Sequence, residues 1–251
     1  MFATTILPIE KCMFKILEKS VKFEDITKGR RGAILVDCEN ESIPIMRTTS
    51  SYNEPAQKFS LVHHMLMEKL RAKFNNAMIE IYDSQYRKMK YHSDQSLDLE
   101  EDSYICLFSC YENDSGNIDD IRKLKIKCKT TKECSEILLV NNSIVTFSKH
   151  TNSKFLHKIV LESTKSKNRW LGITFRLSKT YIKFVDNIPR FKHNGKELRL
   201  VSSNEEKIKF LRYKGRENAA TDFIYPEIDY TLSKSDLMPI CSGIHNLHGL
   251  N

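Results

Sequence analysis

No stretch of the 251-residue chain approaches the roughly 20 consecutive apolar residues that a membrane-spanning helix needs. Met1 to Leu7 is followed at once by charged Glu10 and Lys11, which is not the pattern of a secretory signal. The expectation is a protein that is not secreted and stays in the cytoplasm or nucleus. The cysteines, at 12, 38, 106, 110, 128, 134 and 241, form no CxxC pair and no zinc-ligand spacing. Their odd number fits reduced, mostly buried thiols in a reducing compartment. Internal repeats and long low-complexity tracts are also missing, so neither a solenoid nor a linker-rich chain is indicated.

What is present suffices for one sizeable core, since 40% of the residues are hydrophobic. The formal net charge of +8 and a pI near 9.0 favour polyanionic partners. Ile9, Cys12, Met13, Ile16 and Leu17 recur at helical spacing and predict an amphipathic helix over 8–20. Gly29-Arg30-Arg31-Gly32 reads as a turn, followed by short strands at 33–36 and 43–47. Pro55 opens a second helix over about 56–74. His63 and His64 on it have no acidic or Cys partner at ligand spacing, so they read as structural or surface residues.

From residue 77 the pattern changes to eight short β-rich runs at 78–83, 87–94, 103–110, 121–128, 135–141, 143–148, 155–162 and 170–178. This predicts a mainly β fold with flanking helices, its core a double-stranded β-helix or jelly roll of the cupin kind. The organisation expected is an N-terminal extension with a substrate lid over 1–76, a catalytic core over 77–182, and a C-terminal extension over 183–251. The last contains a hairpin at His193-Asn194-Gly195, a basic segment Lys207 to Arg216, and an irregular tail from Asp222.

The core carries one stretch of chemical interest, Lys88 to Asp94. Side chains alternate along a strand, so His92 and Asp94 point the same way. They supply two of the three ligands of a 2-His-1-carboxylate triad, which holds non-haem Fe(II) and leaves positions open. His157, in the apolar-flanked run Phe155 to Val160, is the favoured third ligand, and His150 in a polar connection is its competitor. Downstream, Arg169-Trp170-Leu171-Gly172-Ile173-Thr174-Phe175-Arg176 is an apolar strand ending in an arginine whose planar fork suits a carboxylate.

In this order of motifs the sequence resembles the AlkB-like branch of the Fe(II)- and 2-oxoglutarate-dependent dioxygenases. The matching features are Tyr82 ahead of the metal motif, His92-Ser93-Asp94, His157 in an aromatic-His context, and Ile173-Thr174-Phe175-Arg176, which is similar to the family's Leu-Thr-Phe-Arg signature. The resemblance covers residues 75 to 180. It implies Fe(II) on His92, Asp94 and His157, with 2-oxoglutarate and O2 as cosubstrates, Tyr82 and Arg176 binding 2-oxoglutarate, and oxidative demethylation of N-alkylated bases in DNA or RNA. Two positions depart from the family. Its second arginine is commonly six residues before the first, whereas Arg169 lies seven before Arg176 and faces the other way in a regular strand. A bulge at Gly172 would realign it, or Lys167 would replace it. Glu80 stands where relatives often carry Asn, and an acid there repels 2-oxoglutarate unless it pairs with a base.

Substrate signals are sparser. Lys123, Lys125, Lys127 and Lys129 share one strand face, which suits a phosphate backbone or a solvated edge. Arg87, Lys88 and Lys90 add charge near the metal motif, Arg47 to Tyr52 is the candidate lid, and Tyr52, Tyr86 and Tyr91 are candidates to stack on an extracted base. Two alternatives stay open: the same chemistry on a protein or small molecule, and a basic nucleic-acid-binding module without catalysis.

Overall fold

A computed structural model describes residues 1–70, 72–87 and 89–240; Lys88 and Cys241 lie outside the described residues, as does the tail after 240. The chain runs through β1 (Ala3–Ile6), α1 (Met13–Ser20), β2 (Glu24–Thr27), β3 (Arg30–Val36), β4 (Ile43–Pro44), β5 (Gln57–Lys58), α2 (Leu61–Leu70) and β6 (Asn76–Tyr82). It continues with β7 (Tyr104–Tyr111), β8 (Lys123–Cys128), β9 (Cys134–Leu138), β10 (Ser143–Ser148), α3 (Lys149–Lys154), β11 (Phe155–Val160) and β12 (Trp170–Arg176). Last come β13 (Tyr181–Val185), β14 (Ile188–Phe191), β15 (Arg199–Leu200), α4 (Asn204–Ala219) and β16 (Tyr230–Thr231).

The major sheet has the order β1-β10-β7-β12-β6-β3-β2, with β5 added beside β3, and the minor sheet has the order β11-β8-β9. The segment carrying His92 joins the minor sheet by one antiparallel bridge to His157 on β11. From β6 to β12 the chain therefore visits major, minor, major, minor, minor, major, minor and major sheet in turn. That is the winding of a double-stranded β-helix, the jelly roll expected above.

Strand alternation divides the major sheet into two chemically different faces. Ala77, Ile79 and Ile81 of β6 and Leu171, Ile173 and Phe175 of β12 point outward to a core with Phe14 and Leu17 of α1 and Val62 and Leu66 of α2. The other face meets the minor sheet across a second core containing Leu107, Val145, Phe147, Leu124, Ile126 and Ile159. Both faces are buried, which explains the near-continuous apolar runs of β6, β7 and β12.

Several boundaries differ from the sequence reading. Among the described residues the predicted strand over 87–94 is reduced to the single bridge at His92, because the chain turns away after it to bring Asp94 inward. The helix expected over 56–74 is shorter, since Gln57–Lys58 pairs in parallel with β3. Residues 207–216 form most of α4, whose N-cap Ser203 accepts a hydrogen bond from the Glu206 N–H. The described cysteines are all free as expected, but of these only Cys106 and Cys110 are buried. Among the described residues no helix is long and apolar enough to cross a membrane.

Charged residues also enter the interior in pairs. Arg47 is buried against Asp98, donating to both carboxylate oxygens and to the carbonyl of Ile228. It thus ties the 43–52 segment to the core and to the C-terminal segment rather than serving in a mobile lid. His63 is fully buried; its Nδ1 accepts from the Ser60 backbone N–H at 3.0 Å, the structural role expected of it. Burial, with His64 nearby, pushes its pKa down from 6.5 to about 3. The unfolded chain takes up this proton near pH 6.5 and the folded chain does not, so stability falls as pH drops from 6.5 toward 3. Lowering the pH from 7 to 5 is expected to cost about 2 kcal/mol through this group. Urea denaturation of wild type and His63→Gln at both pH values should show the variant losing about 2 kcal/mol less.

Candidate metal centre

The site lies between the sheets in a cavity of about 260 Å³. Its wall follows from alternation: Met78, Glu80 and Tyr82 of β6 and Trp170, Gly172, Thr174 and Arg176 of β12 all line it. Gly172 is required by contact, because a Cβ there would stand 2.0 Å from the Trp170 ring. The indole lies over the glycine and closes that side of the cavity. β12 pairs with β6 and β7 without a register shift, so no bulge moves Arg169 onto the cavity face.

His92, Asp94 and His157 converge in this cavity, with one ligand atom from each lying within 4.8 Å of the others. Nε2 of His157 is 3.4 Å and Nε2 of His92 is 3.9 Å from Oδ1 of Asp94. The backbone sets this convergence. His92 and His157 exchange both backbone hydrogen bonds, at 3.0 and 2.7 Å, so the two rings leave neighbouring strands side by side. Asn152 of α3 then binds Asp94 as a strand neighbour would: its Oδ1 accepts from the Asp94 N–H at 2.7 Å and its Nδ2 donates to the Asp94 carbonyl at 2.8 Å.

The electrostatics suit a cation. Burial, then the nearby His157 ring, pushes the His92 pKa down to about 3, leaving the imidazole neutral. Its Nδ1 lies 3.0 Å from the Lys90 carbonyl, which takes an Nδ1–H and directs the Nε2 lone pair into the cavity. Burial alone would raise the Asp94 pKa, but Arg176 and the His157 ring hold it well below the usual carboxylate range. Arg176 donates to Asp94 Oδ2 from Nε at 2.9 Å and approaches it with Nη2 at 2.8 Å. Oδ1 is left facing the two imidazoles. Two nitrogens and one carboxylate oxygen on one side of an open cavity match the facial triad that holds non-haem Fe(II).

The other expected residues divide. Tyr82 lines the cavity, but its hydroxyl donates to Glu80 Oε2 at 2.6 Å. Glu80 has found its base: Arg30 of β3 donates to Oε1 from Nε at 2.7 Å, and the Tyr52 hydroxyl donates to the same oxygen at 2.9 Å. Arg169 does not reach the cavity; it is held by Glu18 and Glu112 on the outer side of the sheet, and Lys167 is exposed. His150 lies outside this cavity, and His157 is the third member of the cluster that could hold a metal ion. Tyr52 is buried on Glu80 and is no stacking residue, whereas Tyr86 lines the cavity. Thr48, Thr49 and Ser50 of the expected lid line it as well.

Three residues that contact the site escaped the sequence reading. Arg30 sat in an apparent turn, Asn152 in a polar connection, and Lys214 in a basic segment with no recognised helix. A helix signal existed for the last, in Ser203 followed three residues later by Glu206. The lysine stripe is also mostly spoken for. Lys123 and Lys125 pair with Glu162 and Glu136; Lys129 is buried and donates to carbonyls of Glu217 and Ala220. Lys127 stands over the Tyr91 ring.

No family model matches the sequence, and no curated protein matches it. Among solved structures, OsALKBH1 aligns with a TM-score of 0.45 at 12% identity, over 70% of this chain and 97% of the other. A Pseudomonas putida prolyl-4-hydroxylase aligns with a TM-score of 0.43 at 12% identity, over 70% of this chain and 92% of the other. The functional reading rests on the atoms of the site.

Removing Arg176 should leave Asp94 buried without its cation. Arg176→Met is expected to lose about 3–5 kcal/mol by urea denaturation. Adding Asp94→Asn should recover part of that loss, because the two side chains act as a unit. A double variant as unstable as the sum of the singles would show that the pair is not coupled.

Proposed function

We propose that this protein is an AlkB-like Fe(II)- and 2-oxoglutarate-dependent dioxygenase that oxidises N-alkyl groups on nucleic-acid bases. The observation that carries the oxygenase reading is the convergence of His92, Asp94 and His157 in one cavity whose lining residues include buried N–H donors with no partner among the described residues. These are Nη1 of Arg176, Nε1 of Trp170 and Nε2 of Gln95. Orphaned buried donors are costly, and an acceptor-rich 2-oxoacid would satisfy them. The donor set therefore fits both the metal and its cosubstrate.

Fe(II) and 2-oxoglutarate, when bound, would supply O2-dependent hydroxylation of a substrate C–H bond, the oxoacid leaving as succinate and CO2. The chain's own contribution is to hold and to exclude. His92, Asp94 and His157 would hold the metal on one side. Arg176 keeps one oxygen of Asp94 fixed and offers its free N–H to a carboxylate. Leu107, Leu124, Phe147, Ile159 and Trp170 line the cavity with apolar surface, so water is kept from the reacting centre.

A nucleic-acid substrate is supported by the net charge of +8, by Lys90 and Tyr86 on the cavity wall, and by the cation–aromatic group of Lys127, Lys158 and Tyr91. An extracted base needs such an aromatic face and a cationic rim. The pairing of Lys123 and Lys125 with glutamates favours a second reading, the same chemistry on a protein or small molecule.

Anaerobic addition of Fe(II) and then 2-oxoglutarate is expected to give a visible charge-transfer band in wild type that His157→Ala lacks. No band in folded wild type would refute the oxygenase reading. Methylated oligonucleotides should raise 2-oxoglutarate turnover above its substrate-free rate and release formaldehyde; stimulation by peptides or metabolites alone would favour the second reading.

A further inference from the structure

We infer that helix α4 is a clamp on the metal-ligand loop, so that docking of this helix and metal binding are thermodynamically coupled. The inference rests on the reading of His92, Asp94 and His157 as a metal site. It arises from the side chains at 214, 217 and 218, which lie on one face of α4 and all grip residues 93–96.

The grip is directional and closed. Asn218 Oδ1 accepts from both the backbone N–H and the hydroxyl of Ser93, each at 3.1 Å. Glu217 Oε1 accepts from the backbone N–H of Ser96 at 2.8 Å and from its hydroxyl at 2.6 Å. Lys214 Nζ donates to the carbonyl of Ser93 and, at 2.6 Å, to Glu217 Oε2, which also accepts from the Tyr225 hydroxyl at 2.8 Å. Asp94 lies between these anchor points, and Asn152 holds its own peptide groups from the opposite side. The C-terminal end of α4 is fixed in turn by the buried ammonium of Lys129, which donates to the carbonyls of Glu217 and Ala220.

Holding a helix in place does not require buried ions. Lys214 is 8% and Glu217 4% exposed, and apolar residues of similar volume commonly dock elements at equal or lower cost. Hydrogen bonds to the loop backbone add what apolar packing does not: they set where the peptide before Asp94 and the peptide after Gln95 lie. His92 and Asp94 flank Ser93, so a shift of that peptide moves both ligands. The residues of α4 touch no metal-ligand atom and are positioning residues. Because coupling is reciprocal, a metal that tightens the 92–96 loop must also tighten α4.

The test uses the full chain and Co(II), whose visible absorption reports ligand geometry. Co(II) is expected to slow amide hydrogen exchange in 207–219 of wild type as well as in the ligand loop. Asn218→Ala should raise the Co(II) Kd about ten- to a hundredfold, the range found when groups that orient metal ligands are removed, and alter the absorption envelope. Asn218→Asp, which keeps the acceptor, should restore both. Lys214→Met with Glu217→Gln, which removes the buried charges together, should weaken Co(II) binding without unfolding the chain. Co(II) binding to wild type with unchanged exchange in α4, or to Asn218→Ala with unchanged Kd and spectrum, would overturn the clamp alone. No Co(II) binding to wild type would overturn the metal reading and the clamp with it.

Discussion

The contact on which the site depends is the ion pair between Asp94 and Arg176. A carboxylate that is 6% exposed cannot stay ionised without a partner. Arg176 supplies one from the end of β12 and takes a single oxygen, which leaves the other free beside two imidazoles. The same arginine is positioned by the central strand of the major sheet, which is paired on both sides by β6 and β7. Its third nitrogen has no partner among the described residues. One side chain thus stabilises the Asp94 carboxylate and carries a further donor.

A jelly roll makes this arrangement possible because its sheets are buried on both faces for different reasons. The outward face of β6 and β12 is apolar and is covered by α1 and α2. The inward face of the same strands carries Glu80, Tyr82, Thr174 and Arg176 and lines the cavity. Rigidity comes from one face and chemistry from the other, at alternate residues along a single strand. The minor sheet then brings His92 and His157 against that inward face as a hydrogen-bonded pair.

The winding of the eight core segments and Arg176 on the cavity face were legible from alternation, and the grouping of His92, Asp94 and His157 was legible from the order of motifs, although the strand expected to align His92 with Asp94 is only a bridge at His92. What was not legible depends on contacts between residues distant in sequence. Arg30 reads as part of a turn until β3 is placed beside β6, where it stands opposite Tyr82 and meets Glu80. Arg169 reads as a cosubstrate ligand until the unbroken register of β12 sends it outward to Glu18 and Glu112. The lysines of β8 have the period of an exposed stripe, yet no spacing shows that Glu136 and Glu162 lie across from Lys123 and Lys125. Tyr52, a plausible stacking residue by type, is claimed by Glu80 for the same reason.

The charge distribution inside the cavity constrains what binds. Three enclosed cations line it, and each already has a carboxylate: Arg30 has Glu80, Arg176 has Asp94, and Lys214 has Glu217. These three pairs are close to neutral together, and Lys90 adds an exposed positive charge at the cavity wall. A divalent metal on His92, Asp94 and His157 adds two positive charges in a region screened from water, where such charges act strongly. A dianion that chelates the metal would cancel them. Under the proposed function the metal would add to the attraction for the oxoacid beyond what the paired arginines supply. The Arg30–Glu80 pair, fixed by the Tyr52 and Tyr82 hydroxyls, then shapes the cavity end without adding net charge. An acid at position 80 is in this way compatible with an anionic cosubstrate, because its own charge is spent on Arg30.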